Sequence, residues 1–358
     1  DELNWRPRNV ANIVEEIQIL HEKYPEMEGV FFDEEVHNIK KSFNISLAKA
    51  IRSAGLDHLK YEAMCEYASL DEEALAEMRS AGYYKIRFGI ETGSDKVAEK
   101  MTLGKKHDLN KLRSMVKFGK SLGMLFYGTI SIGGLGSNQE EDQKTVDLVY
   151  EMASQGWLDE IQVSINTPQP GTDFYNSCIE KSLISTSTDW EGFDGNGQVV
   201  VQYPHYPAEA IQTNFKNALS AFDLGKEKAQ SQTFSNNALS CFNQIPDGTR
   251  VLLLRSVRNW MIRLILENLN KNTRIDLLGQ NVSAEDLGDL AGLNKIYSYG
   301  TGFFSTESIS TELIEKLRHE QYDTILVPVA NNNLQGFQNV LDVAQLVGAE
   351  DILYVYPE

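Results

Sequence analysis

Short runs of β-branched and aromatic residues alternate with amphipathic segments of helical period along this chain, and the alternation constrains its fold more than any other feature. Five strand-then-helix units can be read before residue 180. Strands that a helix separates pair in the same direction, so the pattern predicts βα units on a parallel sheet. The carboxyl ends of such strands meet at one edge, and the loops at that edge are expected to hold the chemistry.

The five predicted strands of this region are short and mostly apolar. They are Gly29–Phe32, His58–Ala63, Lys85–Ile90, Met124–Ile132 and Glu160–Asn166. Ser69, with Glu72 three residues later, predicts a capping box at the start of the helix after the second strand. A helix over Ala208–Lys228 is expected to close the region, and the polar stretch Gln230–Asn237 predicts a linker.

A second α/β series begins at Arg250 and includes a helix predicted near Ala284–Leu290. Its predicted strands are Arg250–Leu254, Arg274–Leu278, Lys295–Tyr299, Thr324–Pro328 and Asp351–Tyr356. We therefore expect an α/β protein in which a partial (β/α) barrel over residues 1–229 is followed by a smaller doubly wound, Rossmann-like domain over residues 240–358. The first turn of this second series lacks the glycine spacing of a dinucleotide site.

Charge and cysteine usage exclude several classes of protein. Lys and Arg number 33 against 51 Asp and Glu, and the net charge of −18 disfavours nucleic-acid binding. No apolar run approaches the ~20 residues that cross a bilayer. The cysteines Cys65, Cys178 and Cys241 are too far apart for a disulfide framework or a metal motif, which predicts a reducing, cytoplasmic setting.

Four of the predicted strands end in loops whose residue types suit a zwitterionic ligand that carries a ribose. Carboxylates accept hydrogen bonds from an ammonium or from ribose hydroxyls, and glycine turns let a flat base approach the backbone. The candidate residues, in chain order, are Asp33, Glu34, Glu91, Thr92, Gly93, Gly133, Gly134 and Pro168. Because these loops follow successive strands, we expect them to form one shared pocket.

Four motifs resemble those of the radical SAM superfamily, and within it they are closest to the branch that is often fused to cobalamin-binding domains. They are Trp5–Arg8, Phe31–Glu34, Phe88–Ser94 and Thr167–Thr172. The loop Gly128–Gly134 is similar to the glycine-rich fifth-strand motif of that family. The resemblance covers roughly residues 3–225, and the order and spacing of the motifs make the set fairly specific.

The resemblance implies a partial α/β barrel that binds S-adenosylmethionine and a [4Fe–4S] cluster, which cleaves the cofactor reductively to a 5′-deoxyadenosyl radical. Glu91 matches the position that reaches the ribose or methionine end of the cofactor. Gly133 and Gly134 match the turn under the adenine. Asp33 matches the acidic position that follows the second strand of the family's barrel. Lys105 lies near the position of a basic residue that faces the cofactor's carboxylate.

The sequence departs from the family in two places. The cluster-binding CxxxCxxC motif is absent, and the chain begins at Asp1, immediately before the Trp5 motif. Because the cluster motif precedes that segment in the family, we expect the first strand, the cluster loop and any cobalamin domain to lie on N-terminal sequence outside this chain. Glu66 stands where relatives commonly have an arginine after the third strand, which leaves the role of that position open.

Together these features predict the core of a radical SAM enzyme that acts on a small-molecule, lipid or peptide substrate. Its cofactors would be S-adenosylmethionine, a [4Fe–4S] cluster with ligands outside this chain and, in a cobalamin-dependent reaction, cobalamin. A reductant such as ferredoxin or flavodoxin would supply the electron. Two alternatives stay open: a non-catalytic scaffold without a cluster, and a glycosyltransferase-like protein that binds a nucleotide-sugar in its second domain.

Overall fold

The structure, a computed structural model, describes residues 5–103, 107–184, 190–242, 245–280, 293–300, 304–329, 334 and 336–356, without the side chains of 190, 191 and 231–241. The chain divides into two compact units, Asp1–Lys226 and Glu227–Glu358. Each unit contains a five-stranded sheet whose described strand pairs are all parallel. The predicted α/β fold class, a partial barrel followed by a Rossmann-like unit, is confirmed. No described helix is both long and apolar enough to cross a membrane.

The first unit pairs its strands in the order in which they occur along the chain. They are β1 Gly29–Phe32, β2 Lys60–Cys65, β3 Tyr83–Glu91, β4 Leu125–Ile132 and β5 Glu160–Ile165. Its described helices are α1 Val10–Lys23, α2 Lys41–Ser53, α3 Glu72–Ser80, α4 Asp95–Lys100, α5 Leu109–Ser121, α6 Gln139–Ser154, α7 Asp173–Glu180 and α8 Ala208–Phe242, which continues into the second unit. Right-handed crossovers between strands in this order place the connecting helices on the same face of the sheet, as in a barrel.

Every second residue of each strand points to the face of the sheet that the helices cover, and these residues are mostly apolar. In β3 and β4 these residues include Ile86, Phe88 and Phe126, all fully buried. They share one hydrophobic cluster with Leu112 and Val116 of α5. Removal of this apolar surface from water, at roughly 25 cal/mol per Å², is the main source of stability for the unit.

The opposite face of the same strands is polar. Arg87 on β3 forms an ion pair with Glu62 on β2. Its guanidinium lies between two rings, 4.9 Å from the centroid of Phe31 and 4.6 Å from that of Tyr127. Lys85 Nζ lies 3.6 Å from the same Glu62 carboxylate. These contacts connect β1, β2, β3 and β4 across the face that has no helices and so support the strand register.

The second unit pairs its strands in the order β10-β9-β6-β7-β8. They are β6 Arg250–Leu254, β7 Arg274–Gly279, β8 Leu293–Ser298, β9 Thr324–Pro328 and β10 Asp351–Val355. Besides the end of α8, the described helices of this unit are α9 Asn259–Asn268, α10 Thr311–His319 and α11 Gln338–Val347. Helix α9 packs in one hydrophobic cluster, and α10 and α11 pack in another that contains alternate strand residues. Helices therefore cover both faces, as in a doubly wound fold.

Two local predictions are corrected by the structure. Helix α3 takes Asp71 as its N-cap, whose Oδ1 accepts a hydrogen bond from Ala74 N at 2.9 Å, whereas Ser69 donates to Glu66. Aspartate directly before the helix is as good a cap as serine and leaves Ser69 in a preceding 3-10 turn. Helix α8 runs from Ala208 to Phe242 and includes the predicted linker, because residues 229–242 contain neither Gly nor Pro. The helix predicted at 284–290 lies outside the described residues.

Truncation of a buried ring in the helix-facing layer tests this description of the core. Phe126→Ala should lower the free energy of unfolding of the first unit by about 3–5 kcal/mol, because the ring is fully buried and leaves a cavity. Ile19→Ala, on a side chain that is 56% exposed, should change it by less than about 0.5 kcal/mol. Denaturant unfolding curves measure both values, and equal effects would contradict the assigned packing.

Candidate functional site

A cavity of ≈ 710 Å³ opens at the carboxyl edge of the first sheet. The loops after β1, β2 and β3 line it, together with Thr129 of β4. Its lining is strongly acidic. The carboxylates are Asp33, Glu34, Glu35, Glu66 and Glu91, and His107 is the one basic side chain among the described lining residues. A small molecule of several hundred daltons fits a cavity of this size, and the charge of the lining favours a cation.

Glu91 occupies an unusual position at the end of β3. Its φ of 64° is in the left-handed region, and the pairing with β4 shifts register between Gly89 and Glu91. The carboxylate folds back over Gly89, where a Cβ atom would lie 2.3 Å from Glu91 Oε1. Glycine at position 89 is therefore what leaves room for the carboxylate in the cavity.

The Glu91 side chain is half-buried and has no hydrogen-bond donor or cationic partner among the described residues. Burial removes water from the charged form and raises the pKa of Glu91 above its ordinary value of 4.5. A partly desolvated carboxylate without a partner is unfavourable in the folded protein unless a ligand supplies one. Glu91 is thus the residue in the cavity that is best placed to accept a hydrogen bond from a ligand.

The carboxylate of Glu34 is held at the cavity by a buried histidine. His37 Nδ1 contacts Glu34 Oε1, and His37 Nε2 lies 2.8 Å from the hydroxyl of Tyr83. The imidazole also lies beside the ring of Phe32, with centroids 4.7 Å apart. Because the histidine is 2% exposed and fixed on both sides, the loop after β1 has a defined conformation. His37 was not predicted as a site residue, since a lone histidine in a loop carries no pattern.

The loop after β2 is fixed by reciprocal hydrogen bonds to the loop after β1. Asn38 Nδ2 donates to the carbonyl of Glu66 at 2.9 Å, and Glu66 N donates to Asn38 Oδ1 at 2.8 Å. The hydroxyl of Tyr67 accepts from Asp108 N at 3.0 Å. Glu66 therefore lines the cavity as a carboxylate, so the position where the family commonly has an arginine contributes negative charge here.

His107 lies against the cavity with a side chain that is 4% exposed. Its Nε2 is 3.2 Å from Asp95 Oδ1, and neither ring nitrogen makes a well-oriented hydrogen bond among the described residues. Asp95 is almost fully exposed and can rotate toward the ring. The predicted cationic neighbour, Lys105, lies outside the described residues.

Thr92 and Gly93 follow Glu91 but do not line the cavity, because they are attached to α6. Thr92 Oγ1 lies 3.2 Å from Thr145 Oγ1, and Gly93 N donates to the same oxygen at 2.9 Å. A Cβ atom at position 93 would lie 2.5 Å from the carbonyl oxygen of Lys144. These two residues hold the end of β3 against the helix, and so they position Glu91 from outside the cavity.

The loops after β4 and β5 also lie outside the lining of this cavity. Gly133 N donates to the buried Asp142 Oδ2 at 2.8 Å, and Tyr206 donates to the same carboxylate at 2.9 Å. A Cβ at Gly134 would lie 3.0 Å from the sulfur of Met101, and Pro168 is buried. The structure therefore joins the predicted residues Asp33, Glu34 and Glu91 in one cavity, with Gly133, Gly134 and Pro168 elsewhere.

The described cysteines do not form an iron–sulfur site. Cys65 lines the cavity but is buried, and burial raises the pKa of its thiol, which disfavours the thiolate that iron requires. Burial likewise raises the pKa of Cys178. No group of three or more His, Cys, Asp or Glu side chains among the described residues is arranged to bind a metal ion. A [4Fe–4S] cluster therefore does not fit the side chains that the structure describes.

Comparison with known proteins identifies methyltransferases, although no family model matches the chain. The chain is 28% identical over 221 residues to an uncharacterized methyltransferase of Pyrococcus horikoshii, covering 62% of this chain and 46% of that protein. It is 24% identical over 181 residues to a cytidylyl-2-hydroxyethylphosphonate methyltransferase of Streptomyces wedmorensis, covering 50% of this chain and 33% of that protein. The chain thus spans less than half the length of both curated relatives.

Solved structures similar to this chain include radical SAM enzymes. One is the methyltransferase TsrM from Kitasatospora setae with cobalamin and a [4Fe–4S] cluster bound, with a TM-score of 0.45, 16% identity and coverage of 57% of this chain and 38% of that chain. Another is coproporphyrinogen III oxidase from Escherichia coli, with a TM-score of 0.35, 11% identity and coverage of 53% and 38%. These structures come from the superfamily that the sequence motifs resemble.

The burial of Glu91 predicts a pH-dependent stability. As the pH rises above 4.5, the unfolded chain releases this proton before the folded protein does, so stability is lost as the pH rises through the raised folded pKa. Glu91→Gln should therefore be more stable than the native protein at pH 7 and should lose that advantage below pH 4.5. Thermal unfolding across this range measures the difference. Glu26→Gln, on an exposed carboxylate, is the matched control, and the same profile in both variants would contradict the assignment.

The two glycines near Glu91 predict different responses to alanine. Gly93→Ala should lower the free energy of unfolding by about 1–3 kcal/mol, because its Cβ would overlap the backbone of α6. Gly89→Ala should lower it by less than about 1 kcal/mol, because its Cβ meets only the movable end of the Glu91 side chain. Chemical denaturation compares the two variants, and a larger loss for Gly89→Ala would contradict this geometry.

Proposed function

We propose that the first unit binds S-adenosylmethionine in the acidic cavity and forms the cofactor-binding core of a radical SAM methyltransferase. The observation that carries the proposal is the half-buried Glu91 carboxylate, which lacks a described partner and faces a cavity at the carboxyl edge of a partial α/β barrel. The methyltransferase names of both curated relatives support the proposed reaction class.

The chemistry of the lining fits this cofactor. S-adenosylmethionine carries two cationic groups, a sulfonium and an ammonium, and two ribose hydroxyls that donate hydrogen bonds. Carboxylates such as Glu34 and Glu91 accept such bonds and compensate the charge. Apolar side chains of the lining, Met64 and Leu103, offer a surface for a flat base. The bound cofactor would supply the methyl group that a methyltransferase transfers.

The cluster, the cobalamin, the substrate and the reductant of such an enzyme are proposed for the whole polypeptide and not for this chain alone. A [4Fe–4S] cluster would take its ligands from residues other than those described, and cobalamin would be bound by a further domain. The residues of this chain would bind and orient S-adenosylmethionine and exclude water from it. We propose a small molecule as the substrate and a ferredoxin-like or flavodoxin-like protein as the reductant. Nothing in the comparisons favours the scaffold or the glycosyltransferase.

Titration with S-adenosylmethionine tests the proposal. Glu91→Gln should weaken binding at least about tenfold, because a charge-assisted hydrogen bond in a buried site contributes about 1.5–3 kcal/mol. The affinity of the native protein should rise with pH as Glu91 ionises, and that rise should be absent in the variant. Isothermal titration calorimetry measures both effects on this chain and on a longer polypeptide loaded with the cluster.

Glu26→Gln is the matched control, because it removes the same charge from an exposed position outside the cavity. It should change the affinity by less than about twofold. An unchanged affinity in Glu91→Gln, or an equal loss in the control, would exclude the cavity as the cofactor site.

A further inference from the structure

The second unit has a cavity of its own, at the place where its strand order reverses. Strand β6 pairs with β7 on one side and with β9 on the other, and the last described pair between β6 and β9 is Leu253 with Leu326. Beyond that pair, the segments that follow β6 and β9 turn toward helices on opposite faces of the sheet. In open parallel sheets such a reversal leaves a crevice outside the carboxyl ends of the strands, where ligands bind.

A cavity of ≈ 400 Å³ occupies this crevice. Its lining includes Arg255 and Ser256 after β6, Gln280 after β7, Tyr299 after β8 and the start of α11. The hydroxyl of Ser256 donates to the carbonyl of Pro328 at 2.5 Å and connects the ends of the two diverging strands. The volume lies within the range of small-molecule sites.

The charge of this cavity is opposite to that of the rest of the protein. Although the chain has 51 acidic residues against 33 basic ones, none of the described lining residues is acidic, and Arg255 is the one charged side chain among them. Arg255 Nε and Nη2 donate to Asn259 Oδ1, at 2.9 and 2.7 Å, and it forms no ion pair with a described carboxylate. A half-buried guanidinium that is oriented by an amide is preorganised for an anion.

Two further features of the cavity indicate the kind of ligand that it binds. Helix α11 begins beside the cavity, and its N-cap, Phe337, provides no side-chain oxygen for the amides of Gln338 and Asn339, which an anion can therefore accept from. The third amide, Val340 N, donates to the carbonyl of Phe337 at 3.0 Å. The rings of Tyr299 and Phe304 pack edge to face in the lining, with centroids 5.0 Å apart. The cavity thus combines an anion-binding end with an aromatic surface.

We propose that this cavity binds a nucleotide, with the phosphate against Arg255 and the base against Tyr299 and Phe304. This site is separate from the proposed S-adenosylmethionine site, so either proposal can fail alone. Isothermal titration of the full chain with AMP, CMP, GMP and UMP, with their nucleosides and with inorganic phosphate provides the test. At least one nucleotide should bind once per chain and at least about tenfold more tightly than its nucleoside and than phosphate.

Arg255→Gln should weaken that nucleotide at least about tenfold, because it removes the charge and keeps a side-chain amide that can donate to Asn259. Tyr299→Leu should reduce the preference for the nucleotide over inorganic phosphate. Arg274→Gln removes the same charge from an exposed residue at the opposite end of β7 and should change the affinity by less than about twofold. Thermal unfolding of each variant confirms that it is folded.

Several results would overturn the proposal. They are no binding of any nucleotide at millimolar concentration, phosphate binding as tightly as the nucleotide, or an equal loss in Arg255→Gln and Arg274→Gln. Excess S-adenosylmethionine should not displace the nucleotide, and displacement would assign the nucleotide to the cavity of the first unit. If Arg255→Gln is unfolded, Arg255→Lys replaces it, because it keeps the charge and loses the planar guanidinium that Asn259 orients. It should also weaken nucleotide binding, and an unchanged affinity would overturn the placement of the phosphate against Arg255.

Discussion

The first unit depends on the parallel pairing of five strands in sequential order. This order places the connecting helices on one face, so side chains that alternate along each strand are divided between an apolar layer and a polar layer. Phe88 and Phe126 fill the first layer, and Glu62 and Arg87 occupy the second. The same pairing directs the carboxyl ends of the strands to one edge, where the cavity forms.

At that edge the protein keeps an arrangement that does not favour its own stability. Glu91 has a left-handed backbone conformation and a half-buried carboxylate without a described partner. Gly89 leaves room for the carboxylate, and Gly93 lets the chain approach α6 so closely that the conformation is maintained. A strained backbone conformation and a desolvated charge both cost free energy of folding, and they persist only when the surrounding structure enforces them. Such features are typical of ligand-binding positions.

The two cavities differ in charge although they belong to one acidic chain. The first gathers five carboxylates and suits a cationic ligand, and the second has Arg255 without an acidic neighbour in its described lining and suits an anion. Net charge therefore says little about either site, because local charges a few ångströms from a ligand outweigh distant, screened ones. If both proposals hold, the protein binds S-adenosylmethionine in one unit and a nucleotide in the other.

The sequence alone determined the elements and their order, because hydrophobic periodicity reports which faces are buried. The strands β6 and β9 were predicted to the residue, and Glu91 and Asp33 were recognised from motifs at strand ends. Only the tertiary structure decided which loops share a cavity, because that depends on contacts between residues distant in sequence. In the folded chain, Gly133 N donates a hydrogen bond to Asp142, and His107, which was not predicted as a site residue, lines the cavity.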